Sequence, residues 1–157
     1  MDTVYIETSI VSHATARPSK DAVVAVLQMQ AKRWLAEEVP HYALVTSQFV
    51  LDEAALGDPE AAARRLAALA DIPVLLPDAQ TEQLANEIIT RSLMPPGARL
   101  DALHVASAAA YGAEYLLTQN CRHIANAHAL PRIYALLEEL GLPRLLICTP
   151  AEFLGDA

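Results

Sequence analysis

The sequence has little cysteine. Its two residues, Cys121 and Cys148, make no disulfide framework. Cys121-Arg-His123 with a distant Cys148 matches no common zinc-ligand spacing. That usage fits a reducing, cytoplasmic setting. Long apolar runs are missing as well. None approaches the ~20 residues of a membrane-spanning helix, so no membrane partner is expected. Met1-Asp-Thr-Val-Tyr5 has no basic stretch ahead of an apolar run, so no secretory signal is expected. Basic residues are scarce: 11 Lys and Arg stand against 19 Asp and Glu, for a net charge of −8. This excludes a broad basic face for nonspecific nucleic-acid binding. A nucleic-acid role would need positive charge that is local, supplied by a metal ion, or brought by a dimer. There is no P-loop, no Gly-x-Gly-x-x-Gly and no Gly-x-Ser-x-Gly. Internal repeats, low-complexity segments and linkers are also absent.

What remains reads as one domain spanning 1–157. A chain of 157 residues can bury roughly 70% of its unfolded surface without staples. Hydrophobic residues make up 54% and aromatics only 5%, which points to a helix-rich, tightly packed molecule. The β-branched and aromatic run Thr3–Ile6 reads as a buried strand, with Thr8 or Ser9 capping a helix that begins near Ile10. Ser19 is expected to cap a long amphipathic helix from about Asp21 to Glu38. Val24, Leu27, Ala31, Trp34 and Leu35 mark its apolar face. Tyr42–Val45 reads as a second strand, followed by a helix capped by Thr46 or Ser47 and stopped by Gly57. Asp58-Pro59 opens the next helix. Ile72–Leu76 reads as a third strand, at a sheet edge because Pro73 interrupts it. Asp78 caps a helix to about Arg91. A helix containing Asp101 comes next; it is apolar nearly all round and therefore expected to be buried. Gly112 stops it. Tyr115–Thr118 reads as the fourth strand, Pro131–Leu140 as a helix, Leu145–Ile147 as the last strand, and Pro150 onward as a terminal turn. About five apolar strands alternating with helices predict an α/β fold, a parallel β-sheet flanked by helices on both faces.

Sites in such sheets form outside the carboxyl ends of the strands. Glu7 lies directly after the first strand. Glu53 lies in the second turn of the helix leaving the second strand. Asp101 starts the helix that feeds the fourth strand, and Asn120 lies just past that strand. Each has a plain structural explanation when taken alone: a helix N-terminus for Glu7 and Asp101, a solvated surface for Glu53, a turn for Asn120. Their shared placement points to a site. Three clustered carboxylates repel one another, and a divalent cation removes that cost. All-oxygen ligation favours Mg²⁺ or Mn²⁺ over zinc. A water on such an ion can attack a phosphodiester while the ion stabilises the phosphate oxygens. Around this set, His104 lies one turn after Asp101 and either orients it, touches substrate, or is a hydrogen-bonded structural histidine. Arg122 and His123 come shortly after Asn120 and either meet a phosphate or decorate a helix surface. Thr8 and Thr118 either hold metal-bound waters or serve as caps.

Four segments carry a resemblance. Tyr5-Ile-Glu-Thr-Ser9, Val50-Leu-Asp-Glu53 with Gly57-Asp-Pro-Glu60, Leu100-Asp-Ala-Leu-His-Val-Ala106, and Leu116-Leu-Thr-Gln-Asn-Cys-Arg-His-Ile-Ala-Asn126 together resemble the PIN domain family, to which the VapC-type toxins of toxin–antitoxin pairs belong. The resemblance covers almost the whole chain, and the third and fourth segments are the specific ones. It implies a Rossmann-like three-layer fold, a Mg²⁺- or Mn²⁺-dependent ribonuclease, an RNA substrate and an antitoxin partner. It places the family's acids at Glu7, Glu53 and Asp101 and its fourth acidic position at Asn120. Two positions depart from the pattern. The first acid is a Glu where the family usually has Asp, and the fourth is an amide, which favours one metal over two.

Three functions stand as expectations. The first is a metal-dependent endoribonuclease, a toxin held by an antitoxin. The second is a binding or regulatory module on the same fold with little or no catalysis, motivated by Asn120 and the acidic charge. The third, a phosphatase with an aspartyl nucleophile, would want Asp-x-Asp after the first strand, where Glu7-Thr-Ser9 stands instead. A homodimer is also expected, with an apolar contact supplied by Trp34 and Leu35 or by the segment Leu93–Pro96.

Overall fold

In a computed structural model that describes residues 1–154, the run Thr3–Ile6 forms β1, and its side chains Val4, Tyr5 and Ile6 are fully buried. Such burial on both faces is what an unbroken β-branched and aromatic run specifies. The other strands are β2 (Ala43–Ser47), β3 (Val74–Leu75), β4 (Tyr115–Leu117) and β5 (Leu146–Cys148). All pairings are parallel, in the order β3-β2-β1-β4-β5. The short β3 lies at an edge, as Pro73 requires; the Pro73 carbonyl still accepts from the Thr46 N–H at 3.0 Å.

The helices are α1 (Thr8–Thr15), α2 (Ala22–Glu37), α3 (Gln48–Ala54), α4 (Pro59–Leu69), α5 (Ala79–Thr90), α6 (Arg99–Tyr111), α7 (Leu130–Glu139) and α8 (Pro150–Leu154). The chain steps outward from β1 to β2 to β3, then crosses back to β4 on the other side of β1. Right-handed crossovers in opposite directions put their helices on opposite faces. Thus α1, α2 and α4 form one layer and α5, α6 and α7 the other. The order reverses between β1 and β4, and a crevice opens there at the strands' carboxyl ends.

The caps differ in detail from expectation. Glu7, not Thr8 or Ser9, is the N-cap of α1, accepting from the Ser9 N–H. Asp21, not Ser19, caps α2, and the Ser19 hydroxyl accepts from the Asp21 N–H instead. A carboxylate favours a helix N-terminus both by hydrogen bonding and through the dipole, so the acid nearest the first turn prevails over the hydroxyl. Strand β2 continues through Thr46 and Ser47. Their buried hydroxyls are satisfied by the Ile6 carbonyl and the Val50 N–H. Asp58 and Asp78 cap α4 and α5 as read. Gly112 ends α6 at φ 87, where a side chain is disfavoured.

Helix α6 is buried from Ala102 through Ala109. Trp34 is fully buried as well. It stacks on Tyr42 and meets Phe153 edge to face. Leu93 and Met94 are also buried, and Leu35 packs against the core. Trp34, Leu93 and Met94 are therefore not free for the homodimer contact expected of them, because their own chain covers them. Among the described residues no helix is long and apolar enough to cross a membrane.

Candidate active site

Glu7 leaves β1 at the crevice with 3% exposure. Its Oε2 accepts from the Ser9 N–H at 3.1 Å, and its Oε1 accepts from the hydroxyls of Ser9 and Thr118, both at 2.5 Å. Thr118 in turn accepts from the Asn120 N–H. The first and fourth strand ends are thus tied together through one carboxylate. The hydroxyl of Ser9 also accepts from the Gln119 N–H.

Glu53 reaches the crevice from α3. His104 Nε2 lies 3.1 Å from its Oε1, and His104 Nδ1 lies 3.0 Å from the Tyr5 hydroxyl. Tyr5 meets Ser47 Oγ at 2.6 Å, and Ser47 accepts from the Val50 N–H. Donor counting orients this chain. Ser47 donates to Tyr5, Tyr5 to Nδ1, and the Nε2–H to Glu53. Burial holds the Tyr5 hydroxyl protonated, and the charges of Glu7 and Glu53 add to that effect. At Glu53 burial acts upward. The hydrogen bond from His104 outweighs it, so the carboxyl lies below its usual value. Thr8 is close enough to act on Glu53, yet its buried Oγ1 has no partner in hydrogen-bonding geometry.

Asp101 sits in the first turn of α6. Its Oδ1 accepts from Asn120 Nδ2 at 3.1 Å, and its Oδ2 lies 2.9 Å from His123 Nδ1. Asn120 Oδ1 also accepts from the His123 N–H. The turn after β4 is therefore built around Asp101.

Glu7, Glu53, Asp101 and Asn120 line one open cleft of about 340 Å³. The tightest grouping within it is Glu7, Glu53 and His104, whose ligand-type atoms lie within 4.8 Å of one another. Asp101 lies outside that trio on the same cleft. His104 is fully buried with its ring nitrogens against Tyr5 and Glu53, so it holds Glu53 and not Asp101. His123 is the residue that holds Asp101. Arg122 is exposed and does not line the cleft. Sequence reading missed four lining residues: Ser9, Ser12, His13 and Arg65. Ser9 was legible as a hydroxyl two residues past an acid. His13 and Arg65 carry no local signal, since their placement depends on the packing of α1 and α4. His13 Nδ1 lies 2.6 Å from Gln119 Oε1, joining α1 to the segment after β4.

No family model matches the sequence, and no curated protein matches it. Solved structures do. The toxin VapC20 of Mycobacterium tuberculosis, which cleaves the sarcin–ricin loop, superposes with a TM-score of 0.55 at 23% identity, covering 72% of this chain and 86% of that one. VapBC2 from Rickettsia felis, bound to a DNA fragment from its promoter, matches with a TM-score of 0.57 at 16% identity over 94% of this chain and 98% of that one. VapBC-1 from nontypeable Haemophilus influenzae matches with a TM-score of 0.57 at 16% identity over 95% and 98%. The chain therefore shares the fold of these VapC proteins, a five-stranded all-parallel sheet of the PIN-like α/β kind.

Proposed function

We propose that this chain is a metal-dependent endoribonuclease and the toxin of a toxin–antitoxin pair. The observation that carries the reading is the convergence of Glu7, Glu53 and Asp101 on one cleft, at the switch point of a VapC-like sheet. The donor set is oxygen-rich, and the unpartnered Thr8 hydroxyl buried beside it fits a ligand that the protein alone does not provide. Glu7, Glu53 and Asp101, with Asn120 beside them, would hold Mg²⁺ or Mn²⁺. When bound, the ion supplies charge stabilisation at the phosphate and a nucleophilic water. The chain's own residues prepare that site. His104 keeps Glu53 ionised and fixed. Asn120 and His123 aim Asp101, with one amide N–H and one lone pair of Asn120 left over. Thr118 and Ser9 anchor Glu7. The VapBC relatives are complexes, which supports an antitoxin partner here.

The test is cleavage of a panel of RNAs with Mn²⁺, comparing wild type with Asp101→Asn. Wild type cleaves and the variant does not; equal activity in both rejects the mechanism. A second reading has its own support. Both oxygens of Glu7 are already engaged by protein donors, which suits a module with weak or no catalysis. In that case Mn²⁺ leaves the melting temperature unchanged, whereas a built site raises it by mass action.

A further inference from the structure

Arg64 and Arg65, neighbours on α4, make no ion pair among the described residues, although the chain carries a net charge of −8. Each is instead clamped to the end of another helix. Arg64 Nε donates to the Thr15 carbonyl at the end of α1, at 3.0 Å. Arg65 Nε donates to the Ala54 carbonyl at the end of α3, at 2.9 Å, and its Nη2 to the Leu56 carbonyl at 2.6 Å. Cations at helix C-termini are ordinary caps. These caps, however, use the Nε edge. Among the described residues, both terminal nitrogens of Arg64 and the Nη1 of Arg65 have no protein partner.

The free ends lie along a groove between α1 and α4 that also holds Arg17. Ser12 and Arg65 line both this groove and the acidic cleft, so the two are continuous. The groove's carboxylates are engaged: Asp58 caps α4, and Glu60 pairs with Arg17 at 3.6 Å. The scarcity of basic residues excluded a broad basic face, and this is a narrow one. Two held guanidiniums, Arg64 with both terminal nitrogens free and Arg65 with its Nη1, suit phosphates, since little side-chain freedom remains to be lost on contact.

We infer that this groove carries the phosphodiester backbone of a single RNA strand into the cleft, with Arg64 and Arg65 each gripping a phosphate. A duplex would need many more contacts than two guanidiniums supply. The class of polymer rests on the ribonuclease reading above; the anion-binding groove rests on the two arginines.

The test is binding of a short fluorescent single-stranded RNA to the full chain, with Ca²⁺ as the cation, between about 50 and 200 mM salt. Arg64→Gln weakens binding about fivefold to tenfold and lowers the slope of log affinity against log salt by about 0.7, the value for one phosphate on a single strand. Arg64→Lys keeps most of the slope. Ala61→Glu is the second variant: it keeps both arginines and sets an acid three and four residues before them on the same helix, within pairing reach of their free ends. It places an acid in the groove at the third position of α4, where Glu favours the helix, so it holds the melting temperature yet weakens binding. Unchanged affinity and slope in both Arg64→Gln and Ala61→Glu overturn the inference, as does absence of salt-dependent binding by wild type. Binding that Arg64→Gln weakens, without cleavage of any RNA in Mn²⁺, sinks the ribonuclease reading and leaves the groove standing. Cleavage by Arg64→Gln with an unchanged KM does the reverse.

Discussion

Glu53 and Asp101 face one cleft, but Glu53 is held from the inside of the molecule and Asp101 from its surface. The partner of Glu53, His104, is fully buried and backed by Tyr5 and Ser47. The partner of Asp101, His123, keeps 27% of its side chain exposed, in a turn after β4. A buried polar chain is costly to leave half satisfied, so the fold and the position of Glu53 depend on the same bonds. The Asp101 cluster can be dismantled with water replacing its partners. One side of the cleft is therefore rigid by construction, and the other is set by a turn.

Four changes break or sharpen that contrast. The largest effect is on chemistry: Glu53→Gln and Asp101→Asn each lower RNA cleavage on the order of 10²–10³-fold, a loss typical of removing one preorganised electrostatic group. Activity loss in only one of them would mean that the two acids do not serve one centre. Next, His104→Ala costs about 2–4 kcal/mol of stability, since it opens a cavity and strands the Tyr5 hydroxyl. Chemical denaturation measures this, and a loss below about 0.5 kcal/mol would show that the chain of bonds holds nothing. His123→Ala does the opposite. Its stability stays within about 0.5 kcal/mol, while cleavage drops about 10- to 100-fold, as for other residues that orient a metal-holding side chain. The smallest effect is in pH. Because the folded carboxyl of Glu53 lies below its ordinary value of 4.5, it adds stability above that pH, and the contribution is lost as pH falls through the folded value. Unfolding free energy measured downward from neutral pH should therefore fall less steeply in Glu53→Gln than in wild type.

The fold was legible because its signals are local. Val4–Ile6 form an unbroken apolar run that a sheet buries on both faces, and Gly112 stops α6 by its own backbone freedom. The acids were legible by position, since parallel strands deliver the residues at their carboxyl ends to one edge of the sheet. Trp34 was misread because an apolar stripe on α2 looks the same whether another copy covers it or, as here, Tyr42 and Phe153 do.

The sequence by itself determined the alternation of strands and helices, the edge position of β3, and which residues arrive at the strand ends. Those depend on periodicity, proline and capping, which act over a few residues. Only the tertiary structure decided who holds whom. Glu7 is tied to Thr118 across 111 positions and Glu53 to His104 across 51. Arg64 and Arg65 are held in the groove beside the cleft by the ends of α1 and α3. Such pairings depend on how layers pack, and nothing within a few residues of either partner encodes them.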